Sequence, residues 1–331
     1  MERKGVLLYS GGLDSLLAAK ILIDQGISLT GIHFVLPFVP PDSDPAAGVP
    51  ARFAADIGLP LVFHRLGRQY MEMVKNPPHG YGKQMNPCID CKIHFLGKAR
   101  EHMESEGAAF VATGEVVGQR PMSQMRHMLI HIEKKSGLRD HLLRPLSAKL
   151  LKPTAAEREG IVDRERLLGI SGRSRSSQGE LARKYRIQQY ASPAGGCLFT
   201  DVFIARRVRD LFTFHPDFSM TDVYLLSIGR HLRFGEKAKA VIGRDEEENA
   251  ELLKYSGEAD YLLIPRFKGP SVFVRGEASE GDLALACSLV AYYGRREGAE
   301  GRCMLSRRGS PCEDLVCGES IGGDTLERMR I

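Results

Sequence analysis

The amino-acid sequence predicts an α/β protein followed by a smaller α+β module, and three observations carry that expectation. Apolar runs of strand length alternate with helical patterns over residues 5–113. The hexapeptide Ser-Gly-Gly-Leu-Asp-Ser joins the first strand to the first helix, and short strand-like runs separated by turn residues appear again after residue 229. In order, Gly5 to Tyr9 reads as a fully buried strand and Ser15 to Gln25 as a helix, with Leu16, Leu17, Lys20 and Ile21 on one face. Ile27 to Leu36 reads as a strand, Val49 to Ile57 as a helix, and Leu61 to Arg65 and Phe110 to Thr113 as further strands. Beyond a linker at Pro216 to Ser219, two short strands flank a turn at Gly235 and a helix follows. "YLLIP" and "SVFVRG" are later strands, and Gly281 to Tyr293 is a closing helix. The expected division is 1–171 for the first domain, 172–218 for a basic helical segment, 219–294 for the α+β domain and 295–331 for a poorly ordered tail rich in glycine and charge.

With 331 residues and 43% hydrophobic content the chain can bury a sizeable core. The longest apolar stretch, Leu283 to Tyr293, is too short to span a bilayer, and no cleavage-site pattern follows the N-terminal apolar run. A cytoplasmic location with no membrane partner is therefore expected. Overall, 46 Lys and Arg face 41 Asp and Glu, so net charge alone says little. Its distribution says more. Between Gly172 and Arg244 there are 13 Lys and Arg against 6 Asp and Glu, a local net of +7 that exceeds the +5 of the whole chain. That stretch is a candidate phosphate-backbone surface.

The loop between first strand and first helix sits where backbone N–H groups lack intrahelical partners and the helix dipole is positive, a setting that favours an anion. Gly11 and Gly12 let the backbone approach a ligand, Ser10 and Ser15 offer hydroxyls, and Asp14 offers a carboxylate to a metal or a polarised group. No Walker or dinucleotide glycine pattern occurs in the chain.

Seven cysteines occur, at 88, 91, 197, 287, 303, 312 and 317. An odd count in a cytosolic chain argues against a disulfide framework. "NPCIDCK" places Cys88 and Cys91 at a helix start, on one face, where the dipole lowers thiol pKa and favours metal ligation or redox chemistry. Cys197, in "SPAGGCLFT", follows Gly195 and Gly196, which would expose it on a tight turn. A zinc site would want four ligands and no second Cys or His pair supplies them, whereas three cysteines leave one iron of a 4Fe–4S cluster open. Cys303, Cys312 and Cys317 have no standard metal spacing and receive no role, nor does Cys287.

"SGGLDS" resembles the pyrophosphate-binding loop of the PP-loop ATP pyrophosphatases. That resemblance implies a doubly wound parallel sheet, in the adenine nucleotide alpha hydrolase manner, with ATP and its Mg²⁺ at the carboxyl ends of the strands. By the same analogy "GIHF" at Gly31 to Phe34 would line the adenine pocket through His33 and Phe34. "ATGEVVGQRPMSQ", Ala112 to Gln124, is similar to a stretch of 4-thiouridine synthases that completes the nucleotide site, which brings in Gly114 and Gln119. "LLRPLSAKLLKPT" also looks like the segment that follows that site in those enzymes. The three-cysteine pattern resembles cluster-dependent 2-thiouridine and 2-thiocytidine synthetases, and "SPAGGC" resembles the second catalytic cysteine segment of MnmA-type thiouridylases. "VIGRDEEEN", Val241 to Asn249, looks like the signature of NFACT-R domains, which are thought to bind RNA. The chain is expected to lack the THUMP-like and rhodanese-like domains of some of these enzymes.

The resemblance implies an ATP-dependent tRNA sulfurtransferase that adenylates a uridine carbonyl and replaces its oxygen with sulfur, releasing AMP and pyrophosphate. Asp14, Cys88, Cys91 and Cys197 would be catalytic, and the three cysteines would hold the cluster. In a cluster-free version Cys197 carries a persulfide that Cys88 or Cys91 resolves. Arg173, Arg175, Arg183, Lys184 and Arg186 would guide tRNA. Expected partners are tRNA and a sulfur donor, either sulfide or a cysteine desulfurase persulfide, with a homodimer as the assembly. The alternatives are a PP-loop amidotransferase or ligase acting on a small molecule, and an RNA-binding factor with a vestigial nucleotide loop.

Overall fold

The apolar run at the N-terminus has no polar face, so as a strand it must be covered on both sides, and it forms the centre of a five-stranded parallel sheet. The computed structural model describes residues 3–190, 197–294, 301–308, 312–318 and 323–331. The chain divides into two units, Met1–Leu36 with Asp42–Cys197, and Pro37–Pro41 with Leu198–Ile331.

The first unit contains β1 (Lys4–Leu8), α1 (Leu13–Ile23), β2 (Ser28–Val35), α2 (Val49–Asp56), β3 (Leu61–Arg65), α3 (Arg68–Lys75) and α4 (Cys88–Ser105). It continues through β4 (Phe110–Thr113), α5 (Arg126–Lys135), β5 (Leu142–Leu143), α6 (Ala155–Arg158) and α7 (Ser176–Lys184). The strand order is β3-β2-β1-β4-β5 and every pairing is parallel. The chain begins at the middle, winds outward through β2 and β3, and returns to β4 on the other side of β1. The connections after β1 and β4 therefore diverge at the carboxyl edge, the place where doubly wound sheets open a crevice.

Helices cover both faces. Leu16, Leu17, Phe53 and Ala54 from α1 and α2 pack with Leu7, Phe110 and Ala112 in one cluster, while Leu96, Ala99 and Met103 of α4 and Ile132 of α5 pack with Val6, Ile32 and Val111 in another. Helix α1 is apolar nearly all round, because α7 covers its outer side through Leu181, Tyr185 and Ile187. The basic segment expected as a separate piece over 172–218 is thus split: α7 and Cys197 belong to the first unit, and the chain from Leu198 to the second.

The second unit contains α8 (Val202–Phe214), α9 (Met220–Leu225), β6 (Arg230–Phe234), β7 (Ala238–Ile242), α10 (Glu246–Lys254), β8 (Tyr261–Pro265), β9 (Val272–Gly276), α11 (Glu280–Tyr293), β10 (Arg302–Arg307), β11 (Glu313–Val316) and α12 (Gly323–Met329). Six strands form an antiparallel sheet in the order β11-β10-β8-β9-β7-β6. The expectation of a poorly ordered tail from residue 295 is corrected here. Cys303 and Leu305 point inward between Arg302, Met304 and Ser306, so β10 has the period of a half-buried strand, and it pairs along β8. Glycine and charge on either side conceal that alternation in the sequence.

The segment "VIGRDEEEN" has a structural account. Asp245 caps α10 by accepting from the Glu248 N–H at 2.9 Å, and Arg244 pairs with Glu248 through Nε at 2.8 Å. Asn249 Oδ1 accepts from the Ser271 N–H at 2.9 Å, which ties α10 to the start of β9. Ser271 is buried, so Asn249→Ala strands that donor. The substitution should cost about 1–3 kcal/mol and speed hydrogen exchange at the Ser271 amide, measured by urea titration and exchange NMR. Unaltered exchange there would refute the tie.

Candidate nucleotide and sulfur sites

The loop after β1 is held by its own small side chains. Ser15 Oγ donates to Gly12 O at 2.8 Å and accepts from the Ser10 N–H at 3.3 Å, and the Gly12 N–H points to Ser10 Oγ at 3.4 Å. Gly11 has φ of 76°, the left-handed region that glycine enters without a Cβ penalty. Gly12 is the N-cap of α1 and carries no side chain to occupy the cap. The first-turn N–H groups are therefore not claimed by a capping side chain, as an anion site requires.

The stretch after β4 closes on this loop. A Cβ at Gly114 would stand 2.5 Å from the Asp14 carbonyl carbon and 2.6 Å from the Ser15 nitrogen, so only glycine permits the approach. Gln119 Nε2 donates to Asp14 Oδ2 at 2.9 Å, and Gln178 of α7 reaches Gln119 at 3.4 Å. Asp14 Oδ1 and Gln178 Oε1 are buried with no hydrogen-bond partner among the described residues. A carboxylate oxygen left in that state lacks a cation or donor, which suits a metal that accompanies nucleotide phosphates. Ser10, Gly11, Gly12, Asp14, Ser15, Gly114 and Gln119 are thus gathered at the switch point.

His33 and Phe34 are not gathered there together. As neighbours on a strand they face opposite sides of the sheet. His33 Nδ1 meets Tyr9 O at 3.1 Å on the side of the loop's strand, and burial lowers its pKa. Phe34 stacks on Phe95 of α4 at 4.6 Å between ring centroids. The expectation that both line one adenine pocket is therefore corrected, and Phe34 backs the cysteine helix instead.

Cys88 and Cys91 open α4, Cys91 buried and Cys88 half-buried. Cys197 is half-buried and lies close enough to interact electrostatically with Cys91 and with Tyr70 of α3. Tyr70 Oη lies 3.1 Å from Cys91 Sγ. Gly195 and Gly196, expected to shape a turn before Cys197, lie outside the described residues. The lowered thiol pKa expected from the helix N-terminus is not what governs Cys91. Burial pushes it up to about 12 against the Tyr70 hydrogen bond, and the neighbouring Cys197 and Cys88 push the same way. As an isolated group Cys91 is a thiol, and a bound cation would have to displace its proton.

Cys88, Cys91 and Cys197 are three donors that influence one another, one short of the four that a structural zinc site takes and the number that leaves one iron of a 4Fe–4S cluster open. Asp90, between the two helix cysteines, is buried and accepts from the His79 N–H at 3.0 Å and from His79 Nδ1 at 2.6 Å, while His79 Nε2 meets His131 Nε2 at 2.8 Å. These contacts fix the loop ahead of α4.

An ion cluster connects the two sites. Lys92, directly after Cys91, pairs with Glu115, directly after Gly114, and Arg144 Nε reaches the same carboxylate at 3.1 Å and Glu133 at 3.0 Å through Nη1. Burial alone would raise the Glu115 pKa, but the two cations hold it down at about 2. Tyr70, Lys92, Glu115, Arg144 and Gln178 carry no local signature, since each acts through a partner distant in sequence.

The basic residues present a different picture. Arg173, Arg183, Lys184 and Arg186 are exposed and Arg175 is half-buried, with no carboxylate partner for any of the five among the described residues.

A doubly wound parallel sheet with a glycine-serine loop at its switch point is the architecture in which such folds open a ligand crevice. Residues 1–151 match the family described as thiamine biosynthesis protein (ThiI), and residues 229–310 match the NFACT protein RNA binding domain. Curated relatives include a tRNA-specific 2-thiouridylase MnmA of Desulfosudis oleivorans, 32% identical over 33% of this chain and 30% of that protein. The same enzyme of Chlorobium chlorochromatii is 27% identical over 54% and 49%. The chain spans less than half the length of the curated relatives it matches. Among solved structures, the U34-tRNA thiolase NcsA from Methanococcus maripaludis with its [4Fe-4S] cluster aligns at 18% identity and a TM-score of 0.33, over 68% of this chain and 70% of that one.

The ion cluster yields a measurable consequence. Glu115→Gln leaves half-buried Lys92 without its countercharge and buried Arg144 with Glu133 alone, so it should cost about 3–5 kcal/mol. Because the folded pKa lies below the ordinary 4.5, the stabilisation is full above that value and is lost as pH falls toward 2. Urea midpoints followed from pH 6 to pH 2 should fall more steeply in the parent than in the variant, and parallel curves would dissolve the argument.

Proposed function

We propose that this chain is an ATP-dependent tRNA sulfurtransferase that makes thiouridine. The observation that carries the reading is the meeting, within one unit, of a PP-loop at the switch point and three cysteines that influence one another electrostatically. The thiouridylase relatives and the two family matches support it.

ATP lies with its phosphates on the loop from Ser10 to Ser15, against the dipole of α1, and Asp14 holds the accompanying Mg²⁺. The uridine carbonyl oxygen attacks the α-phosphorus, the bond to the bridging oxygen breaks, and pyrophosphate leaves. The base carbon, now bearing an AMP leaving group, accepts sulfur, and AMP departs with the original oxygen. Cys88, Cys91 and Cys197 would hold a 4Fe–4S cluster, which when bound would supply an iron free of protein ligands for the sulfur chemistry. Tyr70 fixes the Cys91 side chain, and the Lys92–Glu115 pair holds α4 against the nucleotide loop. Arg173, Arg175, Arg183, Lys184 and Arg186 contact tRNA phosphates, and the second unit adds an RNA-binding surface of the NFACT type. Sulfide supplies the sulfur without redox change, or a desulfurase-borne persulfide supplies it through Cys197 while Cys88 or Cys91 resolves the intermediate and is oxidised with Cys197 to a disulfide.

Asp14→Asn removes charge but little packing, so AMP formation should fall by at least about 100-fold while tRNA binding persists. AMP release at the parental rate would remove the loop from the mechanism. Single Ala substitutions at Cys88, Cys91 or Cys197 should each abolish iron binding and thiolation and spare ATP binding. An iron-free parent that still thiolates from a persulfide donor would instead make Cys197 the sulfur carrier. Reversing the charges of Arg173, Arg175 and Arg183 together should weaken tRNA binding and reduce its salt slope by about one unit per lost phosphate contact. An unchanged slope would move the tRNA surface elsewhere.

A further inference from the structure

The second unit contains another group of three cysteines, for which the thiolation reading has no use. Cys287 lies in α11, Cys303 is the second residue of β10, and Cys317 directly follows β11. Their sulfurs all lie within 4.8 Å of one another and all three residues are buried. Their separations, 16 and 14 residues, match no metal motif, so the sequence assigns them no role. The sheet and α11 close those gaps. The odd cysteine count argues against a disulfide framework, yet Cys287 and Cys317 are joined, with Cα atoms 4.8 Å apart.

Two features ask for more than that one bond. Cys303 Sγ stands 3.4 Å from Cys317 Sγ, close to the separation of about 3.8 Å that thiolates adopt around a zinc-sized ion. A disulfide needs two sulfurs, and this site places a third at ligand distance. Elsewhere the edge of the sheet is held at its surface, where Arg266 Nη2 meets Asp314 at 2.7 Å and Arg307 Nε meets Glu313 at 2.8 Å. Glu313, Asp314 and Val316 are exposed, Leu315 is half-buried, and Cys317 is the buried side chain of the described segment 312–318. Main-chain pairing with β10, two surface ion pairs, half-buried Leu315 and one buried residue give a short edge strand modest hold. A cross-link among three elements would add to it.

The geometry points to a thiolate site for a soft divalent cation of the zinc class, in which Cys287, Cys303 and Cys317 supply three of the four ligands and a water or small exogenous ligand the fourth, with the Cys287–Cys317 disulfide as its oxidised, metal-free form. Soft sulfur donors in apolar surroundings, here Leu283, Leu289, Val290 and Leu305, select such ions over Mg²⁺ or Ca²⁺. Conversion is balanced by a small-molecule dithiol. It reduces the disulfide to two thiols and is itself oxidised to a disulfide, and each thiol that then ligates the ion releases one proton. Because each ligating thiol must lose its proton, metal uptake should weaken as pH falls. The site is independent of the thiolation proposal.

The test uses the full chain with Cys88, Cys91 and Cys197 changed to Ser, which removes the other thiol group and keeps four of the seven cysteines. After reduction by dithiothreitol and its removal under argon, Zn²⁺ is titrated. We expect one ion per chain to survive desalting. A thiol reagent applied to the native protein should then count Cys312 alone, and a chelator should raise the count to four on unfolding. Cd²⁺ in place of Zn²⁺ should give a sulfur-to-metal charge-transfer band. Adding Cys303→Ser should weaken zinc binding by at least about 100-fold, with the far-ultraviolet circular dichroism retained. The thiol count needs no buried substitution, so it stands if that variant fails to fold. Reduced protein that retains no zinc overturns the proposal, as does equal zinc binding after Cys303→Ser or protection of only two thiols.

Discussion

The buried carboxylate of Glu115 is the constraint around which the first unit is arranged. It follows Gly114, whose lack of a Cβ lets the end of β4 touch the backbone of the loop, and it is neutralised from two directions by Lys92 and Arg144. An ionised carboxylate at that depth is stable only while both cations stay in place. Lys92 is the residue after Cys91, so the position of the first turn of α4 is fixed by the same carboxylate that follows the closing glycine. Arg144 extends the arrangement to Glu133 and to the Leu129 carbonyl of α5, and the far side of the sheet is fixed as well. The nucleotide loop and the cysteine helix are therefore placed by one electrostatic junction.

That junction explains why the cysteine helix can bury a thiol at its start. A helix N-terminus exposed to water would favour a thiolate. Here α4 begins under the aromatic stack of Phe34, Phe95 and Tyr70, and Cys91 shares its hydrogen bond with a buried phenol. Desolvation outweighs the dipole and holds the isolated sulfur protonated. The same surroundings would protect a polynuclear centre from water once thiolates have formed. In the proposed reaction this matters, since an adenylated base is prone to hydrolysis and the sulfur nucleophile must compete with water for the same carbon.

Much of this architecture was legible where the residues interact locally. Leu61 to Arg65 and Phe110 to Thr113 coincide with β3 and β4, and the loop between β1 and α1 was readable because its glycines and serines satisfy one another within six residues. Strand β5 was not legible, since two residues show no period. The pairing of Lys92 with Glu115 spans 23 residues, and that of Glu115 with Arg144 spans 29, so no window of a helix or strand contains either. Phe34 was misassigned because a motif names consecutive residues while a strand sends them to opposite faces. Strand β10 was missed for a different reason: its alternation of inward Cys303 and Leu305 is real, but its flanks have the composition of a solvated tail.

The two cysteine groups show how far spacing in sequence and spacing in space can diverge. Cys88 and Cys91 form the motif a reader of sequences notices, and Cys197 joins them from 106 residues beyond Cys91. Cys287, Cys303 and Cys317 form no motif, yet their sulfurs lie within 4.8 Å of one another. The difference follows from the elements that carry them. Two thiols on one helix turn are held at a separation set by the helical rise, and a distant third can only approach their common face. Three thiols on a helix, a strand and the end of a neighbouring strand are brought together by sheet packing, which can close them onto one point. If both groups bind metal, the first leaves room for chemistry at an open iron, whereas the second gathers three elements on one ion and serves the fold.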